Sequence, residues 1–303
     1  MKNSRMDPMN PNRLFSLSST CGAEGRGEEV PISSDFVTRF MWRGFPLAGF
    51  CSAPVLACLL LMSVLGQGWS QTPVTPPARK ARILLVTGDD HPAHHWKETA
   101  PVLQAALEKD RRLEVFVAQD PAFLDSAAID RYDLILLHFK NWQTNGPGDK
   151  ARENLRRFVH NGKGLALVHF ACGAWQGEWP EFSDLAGRVY DPALRHHDPY
   201  GPFRVEIVQP EHPIVRGMED FDTQDELYTC LTGGHPIQVV AQAKSKVDGK
   251  YYPMAFVSQY GEGRTFQCVL GHDVKAMGVP AVQELYRRGC AWAAGLDPLP
   301  HSK

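Results

Sequence analysis

Residues 164 to 175, Gly164-Leu-Ala-Leu-Val-His169-Phe-Ala-Cys172-Gly173-Ala-Trp175, form an apolar run that breaks off at a histidine, a cysteine and a tryptophan. An uninterrupted apolar run of this length suits a strand buried on both faces of a parallel sheet. Open α/β sheets keep their ligand sites at the carboxyl ends of such strands, so His169 and Cys172 stand where chemistry is expected.

Working outward, the same alternation recurs on both sides. Arg82 to Thr87, Leu113 to Val117 and Asp133 to Phe139 read as strands, and Trp96 to Lys109 and Asp149 to His160 as helices. In the second helix Leu155, Phe158 and Val159 point inward and Asn161-Gly162 closes the last turn. Strands alternating with helices of this length predict a parallel sheet with right-handed crossovers. The later half is less regular: a short helix from Trp179 to Ala186, a Pro- and His-rich loop from Asp191 to Gly201, and strands at Phe203 to Gln209, Ile237 to Ala241, Met254 to Gln259 and Thr265 to Leu270. A terminal helix follows from Pro280 to Ala294. Tyr260-Gly-Glu-Gly263 between two of these strands reads as a tight hairpin turn, which adds antiparallel strands at one edge of the sheet. The fold class expected is therefore α/β, a mainly parallel sheet flanked by helices with antiparallel edge strands.

The N-terminal quarter is different. Residues 1–40 are rich in Ser, Asn, Gly and Pro without a sustained period and read as a disordered or non-native extension. From Met41 a basic start, the apolar stretch Ala53 to Gly66 and the small-residue site Gly68-Trp69-Ser70 describe a secretory signal peptide over 41–70, cut near Gln71. An uncleaved anchor over 45–65 competes, being about the roughly 20 residues a span needs. Pro73, Pro76 and Pro77 make 71–81 a stiff linker to a single domain over 82–297. The expected location is periplasmic or extracellular, with membrane contact only through the leader or anchor.

A formal net charge of −2 gives no basic excess for nucleic acid, and a small polar ligand fits better. The seven cysteines contain no C-x-x-C pair, so they make neither a disulfide framework nor a zinc ribbon. The oligomeric state is left open.

Of the twelve histidines, eight cluster beyond the presumed strand ends or in the long loop: His91, His94 and His95 after the first strand, His138 after the third, His169 after the fourth, His196 and His197 in the long loop, and His272 after the strand ending at Leu270. In a parallel sheet these ends share one rim. Asp89, Asp90, Asp198, Asp225, Glu226 and Asp273 join them. Imidazoles with one carboxylate suit zinc, iron or manganese. Histidines that hydrogen-bond a substrate or each other are the competing reading, because no compact H-E-x-x-H motif is present. Trp96, Trp142, Trp175 and Trp179 follow strand ends, where an indole face stacks on a sugar ring or builds the pocket wall or core. Asp225-Glu226 reads as a pair of site carboxylates or as a helix N-cap. Cys172 reads as a nucleophile on an elbow turn or as a small packed residue; the flanks are not G-x-C-x-G.

Several patterns coincide in order: Val86-Thr87-Gly88 before His94-His95-Trp96, the run ending at His169, His212-Pro213-Ile214, Asp225-Glu226-Leu227-Tyr228, and Tyr260-Gly-Glu-Gly-Arg264 leading to Leu270-Gly271-His272. Together, over about residues 82 to 295, they resemble the ThuA-like family, named for trehalose utilisation, whose fold is like class I glutamine amidotransferases. The resemblance implies a flavodoxin-like domain and a role in sugar or keto-sugar metabolism. The matching positions are His94, His169, His197, Glu226 and His272. Glutamine hydrolysis needs an elbow Cys and a late His-x-Glu pair, whereas this chain has His272-Asp273-Val274.

The expected site thus has His94, His169, Glu226 and His272 as catalytic groups. Trp96, Trp175, His197, Asp198 and Asp225 are expected to bind substrate, and His94, His169 and His272 to hold one divalent metal (Zn, Mn or Fe). The expected partner is a small carbohydrate, a glycoside or 3-keto-glycoside undergoing hydrolysis, elimination or isomerisation. The alternatives are a non-catalytic secreted carbohydrate-binding module and a Cys172-dependent hydrolase of amidotransferase type.

Overall fold

The computed structural model describes residues 79–299, and the extension, leader and anchor readings of the N-terminal segment lie outside them. Five strands run parallel at the centre: β1 (Ala81–Val86), β2 (Leu113–Ala118), β3 (Leu134–Leu137), β4 (Gly164–Val168) and, last of the five in the chain, β11 (Gly263–Cys268). They lie in the order β2-β1-β3-β4-β11. The four strands β6 (Gly201–Ile207), β7 (Phe221–Asp225), β9 (Gln238–Lys244) and β10 (Tyr251–Tyr260) extend the sheet beyond β11 in antiparallel fashion as β10-β9-β6-β7. The turn at Gly261-Glu262 joins β10 to β11, as its glycines predict. A separate two-stranded ribbon pairs β5 (Val189–Tyr190) with β8 (Leu231–Thr232).

The parallel strands are read on both faces. In β1, Ile83 and Leu85 join one apolar layer and Leu84 and Val86 the other, the period-2 split that a fully covered strand requires. On the first face lie α1 (Trp96–Glu108) and α5 (Pro280–Ala293), with Leu103, Leu107, Leu285 and Tyr286 inward. On the second lie α2 (Asp149–His160) and the short α3 (Phe182–Ala186), with Leu155, Phe158, Phe182 and Leu185 inward. One turn, α4 (Val274–Met277), is capped by Asp273, whose carboxylate accepts from Ala276 N at 2.8 Å. Among the described residues no helix is long and apolar enough to cross a membrane.

Two departures from the sequence expectation bear on the site. The helix expected from Trp179 begins only at Phe182, and Asp225-Glu226 does not cap a helix: Asp225 is the last residue of strand β7. The order β2-β1-β3-β4 puts the reversal of winding between β1 and β3, so the loops after these two strands part and leave a crevice at their carboxyl ends.

Candidate active site

The crevice is lined from five segments. After β1 the chain folds back on itself, His94 N donating to His91 O at 3.2 Å, and this tight turn holds both rings over the sheet end. The His94 ring stacks on Phe170, centroids 4.6 Å apart and planes 6° apart. Its Nδ1 is buried without a hydrogen-bond partner. Burial, reinforced by neighbouring His169, His91 and His272, pushes His94 well below the usual imidazole range, so the ring is neutral.

His169 follows β4 directly and has φ of +50°. That left-handed backbone is costly for a residue with a Cβ and is the geometry of an elbow turn. The elbow expected at Cys172 therefore belongs to His169, three residues earlier. His169 is wholly buried, and its Nδ1 lies 2.8 Å from Val269 O. A carbonyl only accepts, so Nδ1 carries the hydrogen and Nε2 turns its lone pair inward. Tyr228 Oη lies 3.1 Å from that Nε2, and Glu226 Oε2 3.6 Å.

Glu226 is ringed by imidazoles: besides His169, His272 Nδ1 is 3.1 Å from Oε2 and His197 Nε2 is 3.5 Å from Oε1. Burial alone would raise its pKa, but the imidazoles of His169 and His272 against it outweigh burial and hold the carboxylate ionised, well below its usual range. In return Glu226 raises the pKa of His272. His197 is brought alongside by a short antiparallel bridge to Tyr228, and its Nδ1 donates to Asp198 O at 2.7 Å, which turns Nε2 toward Glu226.

His94, His169 and His272 each offer a ring nitrogen within 4.8 Å of the others. The donor set fits a divalent cation of borderline softness: three imidazoles, a carboxylate beside them, one ring oriented by a backbone carbonyl, and buried ring nitrogens of His94 and His272 without a hydrogen-bond partner.

Several expected substrate contacts are placed elsewhere. Asp225 is fully buried, and its carboxylate accepts from Glu226 N (2.8 Å), Gly271 N (2.6 Å) and His272 N (3.1 Å). It ties the Glu226 and His272 segments together and does not reach the crevice. Asp198 is likewise buried, accepting from Arg195 Nη1 at 2.5 Å, Ser245 Oγ at 2.8 Å and Lys246 N at 2.9 Å. Trp175 is 1% exposed and belongs to the second apolar layer, edge-on to Phe139 and Trp179, with Nε1 donating to Pro147 O at 2.7 Å. Trp96 begins α1 with Nε1 donating to Asp90 at 2.8 Å, in a shallow depression beside the crevice. The exposed indole over the crevice is Trp142, 42% exposed and 4.7 Å from the His91 ring.

Cys172 lines the crevice floor but is 1% exposed, and burial pushes its thiol far above the usual range. A buried, protonated thiol is a poor nucleophile, and these are the surroundings of a small packed residue. His138 is also buried, bonded through Nε2 to Thr99 Oγ1 at 2.9 Å, and serves the core.

The cavity measures about 260 Å³. Its outer wall adds His91, Lys140, Tyr190 and His196, and Tyr190 Oη lies 2.7 Å from His196 Nδ1. Lys140, Tyr190 and Tyr228 were not singled out as site residues from sequence. The signal for Lys140 was present, since it stands on the same rim as His138, just past the end of β3.

The family model of ThuA, described as trehalose utilisation, matches residues 82–293. A ThuA-like protein of Parabacteroides merdae is similar in structure, with a TM-score of 0.66 and 23% identity over 74% of this chain and 94% of that one. A second ThuA-like protein, from Bacteroides uniformis, gives a TM-score of 0.57 at 17% identity over 75% and 98%. A β-galactosidase from Bacillus circulans gives 0.50 at 13% identity, over 74% of this chain and 32% of that one. At these identities the solved structures establish the fold. A search of curated protein sequences gives no significant match.

Proposed function

The chain belongs to the ThuA family, whose trehalose-utilisation character implies a role related to sugar metabolism, and from that premise we propose an exported enzyme that abstracts a proton beside the carbonyl of a keto-sugar or keto-glycoside. The observation that carries this reading is the convergence of His94, His169 and His272 within 4.8 Å, with the Glu226 carboxylate against them, beside a small crevice that His94 and Glu226 line. Elimination, hydrolysis of the glycoside or isomerisation all begin from that abstraction.

A divalent metal held by the three histidines supplies, when bound, polarisation of a carbonyl and stabilisation of the enolate charge. The protein's own groups do the rest. His197, which lines the crevice with Nδ1 committed to Asp198 O, takes the proton on Nε2. Glu226, ionised and 3.5 Å from the same nitrogen, stabilises the imidazolium that results by its charge. Glu226 itself is too weak a base to be the acceptor, because the imidazoles packed against it hold its pKa well below the usual range. Trp142 offers an indole face to a sugar ring at the mouth. At about 260 Å³ the cavity is near the lower end of ligand pockets, roughly 300–1,000 Å³, which suits one sugar residue.

Export rests on the basic, apolar and small-residue segments from Met41 to Ser70. N-terminal sequencing of the native protein checks it, with Gln71 or a close neighbour expected first. The reaction is tested by incubating the purified protein with 3-keto-disaccharides, with and without chelator, and following sugar release. Turnover abolished by chelation and restored by Zn²⁺ or Mn²⁺ is expected; intact binding with no turnover in any condition leaves a carbohydrate-binding module.

A further inference from the structure

Lys140 is the one lysine or arginine lining the crevice, and nothing among the described residues pairs with it. Its Nζ makes no hydrogen bond or ion pair there, and sits 4.2 Å over the ring of Tyr190. The groups that register on it electrostatically are the thiols of Cys172 and Cys230, both protonated in their buried setting. Burial, with no carboxylate to offset it, lowers the pKa of the amine from its usual value. An ammonium half-removed from water without a counter-ion is an unfavourable arrangement that a bound anion relieves.

The lysine is also held in place. A Cβ built on Gly173 would lie 2.8 Å from Lys140 Cδ and 2.9 Å from Cε, so the lysine stem runs in a channel that exists because residue 173 has no side chain. Gly173 closes the turn that begins at His169, and the backbone that carries the elbow histidine therefore also shapes the seat of the lysine. Beyond Lys140 the outer wall is made of imidazoles and aromatic rings, His91, Trp142, Tyr190 and His196, with Glu226 the one carboxylate and that one lying against the histidine cluster.

We propose that Lys140 is a specificity residue for an anionic sugar: the substrate carries a carboxylate, as a uronic or aldonic acid derivative does, which pairs with Lys140 while the rest of the ring reaches the histidine floor. The assignment rests on the sugar-enzyme reading for the nature of the ligand and adds its charge. One cavity then has two ends of different chemistry, a cationic outer end for the acid group and an imidazole floor for the reacting carbon.

The experiment measures binding calorimetrically, so that it does not depend on turnover. Glucuronate and glucose are titrated into the full mature protein, into Lys140→Met and into Gly173→Ala, with circular dichroism confirming that each variant is folded. Glucuronate is expected to bind at least ten times more tightly than glucose to the wild type, with the preference lost in Lys140→Met and weakened in Gly173→Ala. Raising salt is expected to erode the preference in the wild type and to leave Lys140→Met unaffected. Equal affinity for the two sugars, a preference that survives Lys140→Met, or no binding of either by the folded wild type overturns the proposal. A preference for glucuronate without any turnover of keto-sugars retains Lys140 as an anion-binding residue and removes the reaction proposed above.

Discussion

At the scale of single residues, the site distinguishes groups that meet substrate from groups that hold those groups still. His197 is of the first kind. Its Nδ1 is committed to Asp198 O, so Nε2 alone faces the crevice, and replacing the ring by Asn removes the proton acceptor while keeping a polar side chain. A positioned base contributes typically 10²–10⁴-fold. His197→Asn is accordingly expected to lower kcat by about 10²-fold or more with a smaller change in KM, read by steady-state kinetics; an equal loss carried wholly in KM would make His197 a binding residue. Asp225 is of the second kind. An Asn there presents one carbonyl oxygen and an NH₂ group to three backbone N–H donors, so at least one loses its acceptor. A buried donor left unsatisfied costs about 1–3 kcal/mol, and loss of an outer-shell partner lowers metal affinity about 10–100-fold. Asp225→Asn is expected to show both, in urea unfolding and in a competitive Zn²⁺ titration; unchanged metal affinity would detach Asp225 from the site.

At the scale of elements, what the sequence made legible is what burial on both faces writes into it. The β1, β3 and β4 runs stand out because every position is apolar or nearly so, and α2 because its inward residues recur at helical spacing. Strand β7, Phe-Asp-Thr-Gln-Asp, passed unnoticed because it lies at the sheet edge with alternate residues partly exposed, and its composition is that of a loop. Trp175 was misplaced for a different reason. An aromatic after a strand end reads alike whichever way the chain then turns, and the turn from His169 to Gly173 swings it into the second apolar layer. The converging histidines were legible because strand ends of a parallel sheet share a rim, whereas the separation of Asp225 from Glu226 into positioning and site-facing groups depends on a backbone turn that spacing does not encode. The packing of α5 supports two predictions. At Gly289 a Cβ would lie 2.2 Å from Phe266 Cε1, so the helix sits on β11 at a distance that only glycine allows. Gly289→Ala is expected to destabilise the domain by about 1–3 kcal/mol, the usual cost of overpacking, seen in chemical denaturation. On its outer face α5 carries Glu284, bonded by Arg287 and by Arg288 Nε at 2.5 Å, while Arg288 Nη1 also donates to Arg216 O at 2.7 Å. Burial pushes Glu284 up, but the two guanidiniums outweigh it and hold the carboxyl below its usual value. A carboxyl whose folded pKa is depressed stabilises the fold above its unfolded value, about 4.3, and that contribution disappears as pH falls through the folded value. Glu284→Gln should therefore cost up to about 1 kcal/mol at pH 7, the modest worth of a partly exposed pair, and the gap to wild type should close as pH falls below about 4. A gap that persists undiminished at low pH would assign the loss to packing.

For the whole molecule, the decisive question is whether the three histidines bind metal as one site, because their segments are distant in sequence. His94 follows β1, His169 follows β4 and His272 follows β11, so one cation joined to all three would tie together the start, middle and end of the described domain. The unfolded chain has no such preformed set, and a ligand that binds only the folded state stabilises it by RT ln(1 + [L]/Kd), about 2.7 kcal/mol when free metal is 100 times Kd. For a domain of this size each kcal/mol moves Tm by about 2–4 °C, giving a rise of roughly 5–10 °C on loading with Zn²⁺ or Mn²⁺ after exhaustive chelation. His272→Ala removes one ligand from a ring that is 21% exposed and lies at the site rather than in either apolar layer, so its apo form should melt near the wild-type apo form and gain little from metal. Differential scanning calorimetry of both proteins, with and without metal, reads this directly. A wild-type Tm indifferent to metal across the first-row divalent ions would leave the imidazoles as hydrogen-bonding groups and place the whole chemistry on His197 and Glu226, whereas a shift in wild type that His272→Ala abolishes identifies the cluster as the metal site on which the rest of the crevice is built.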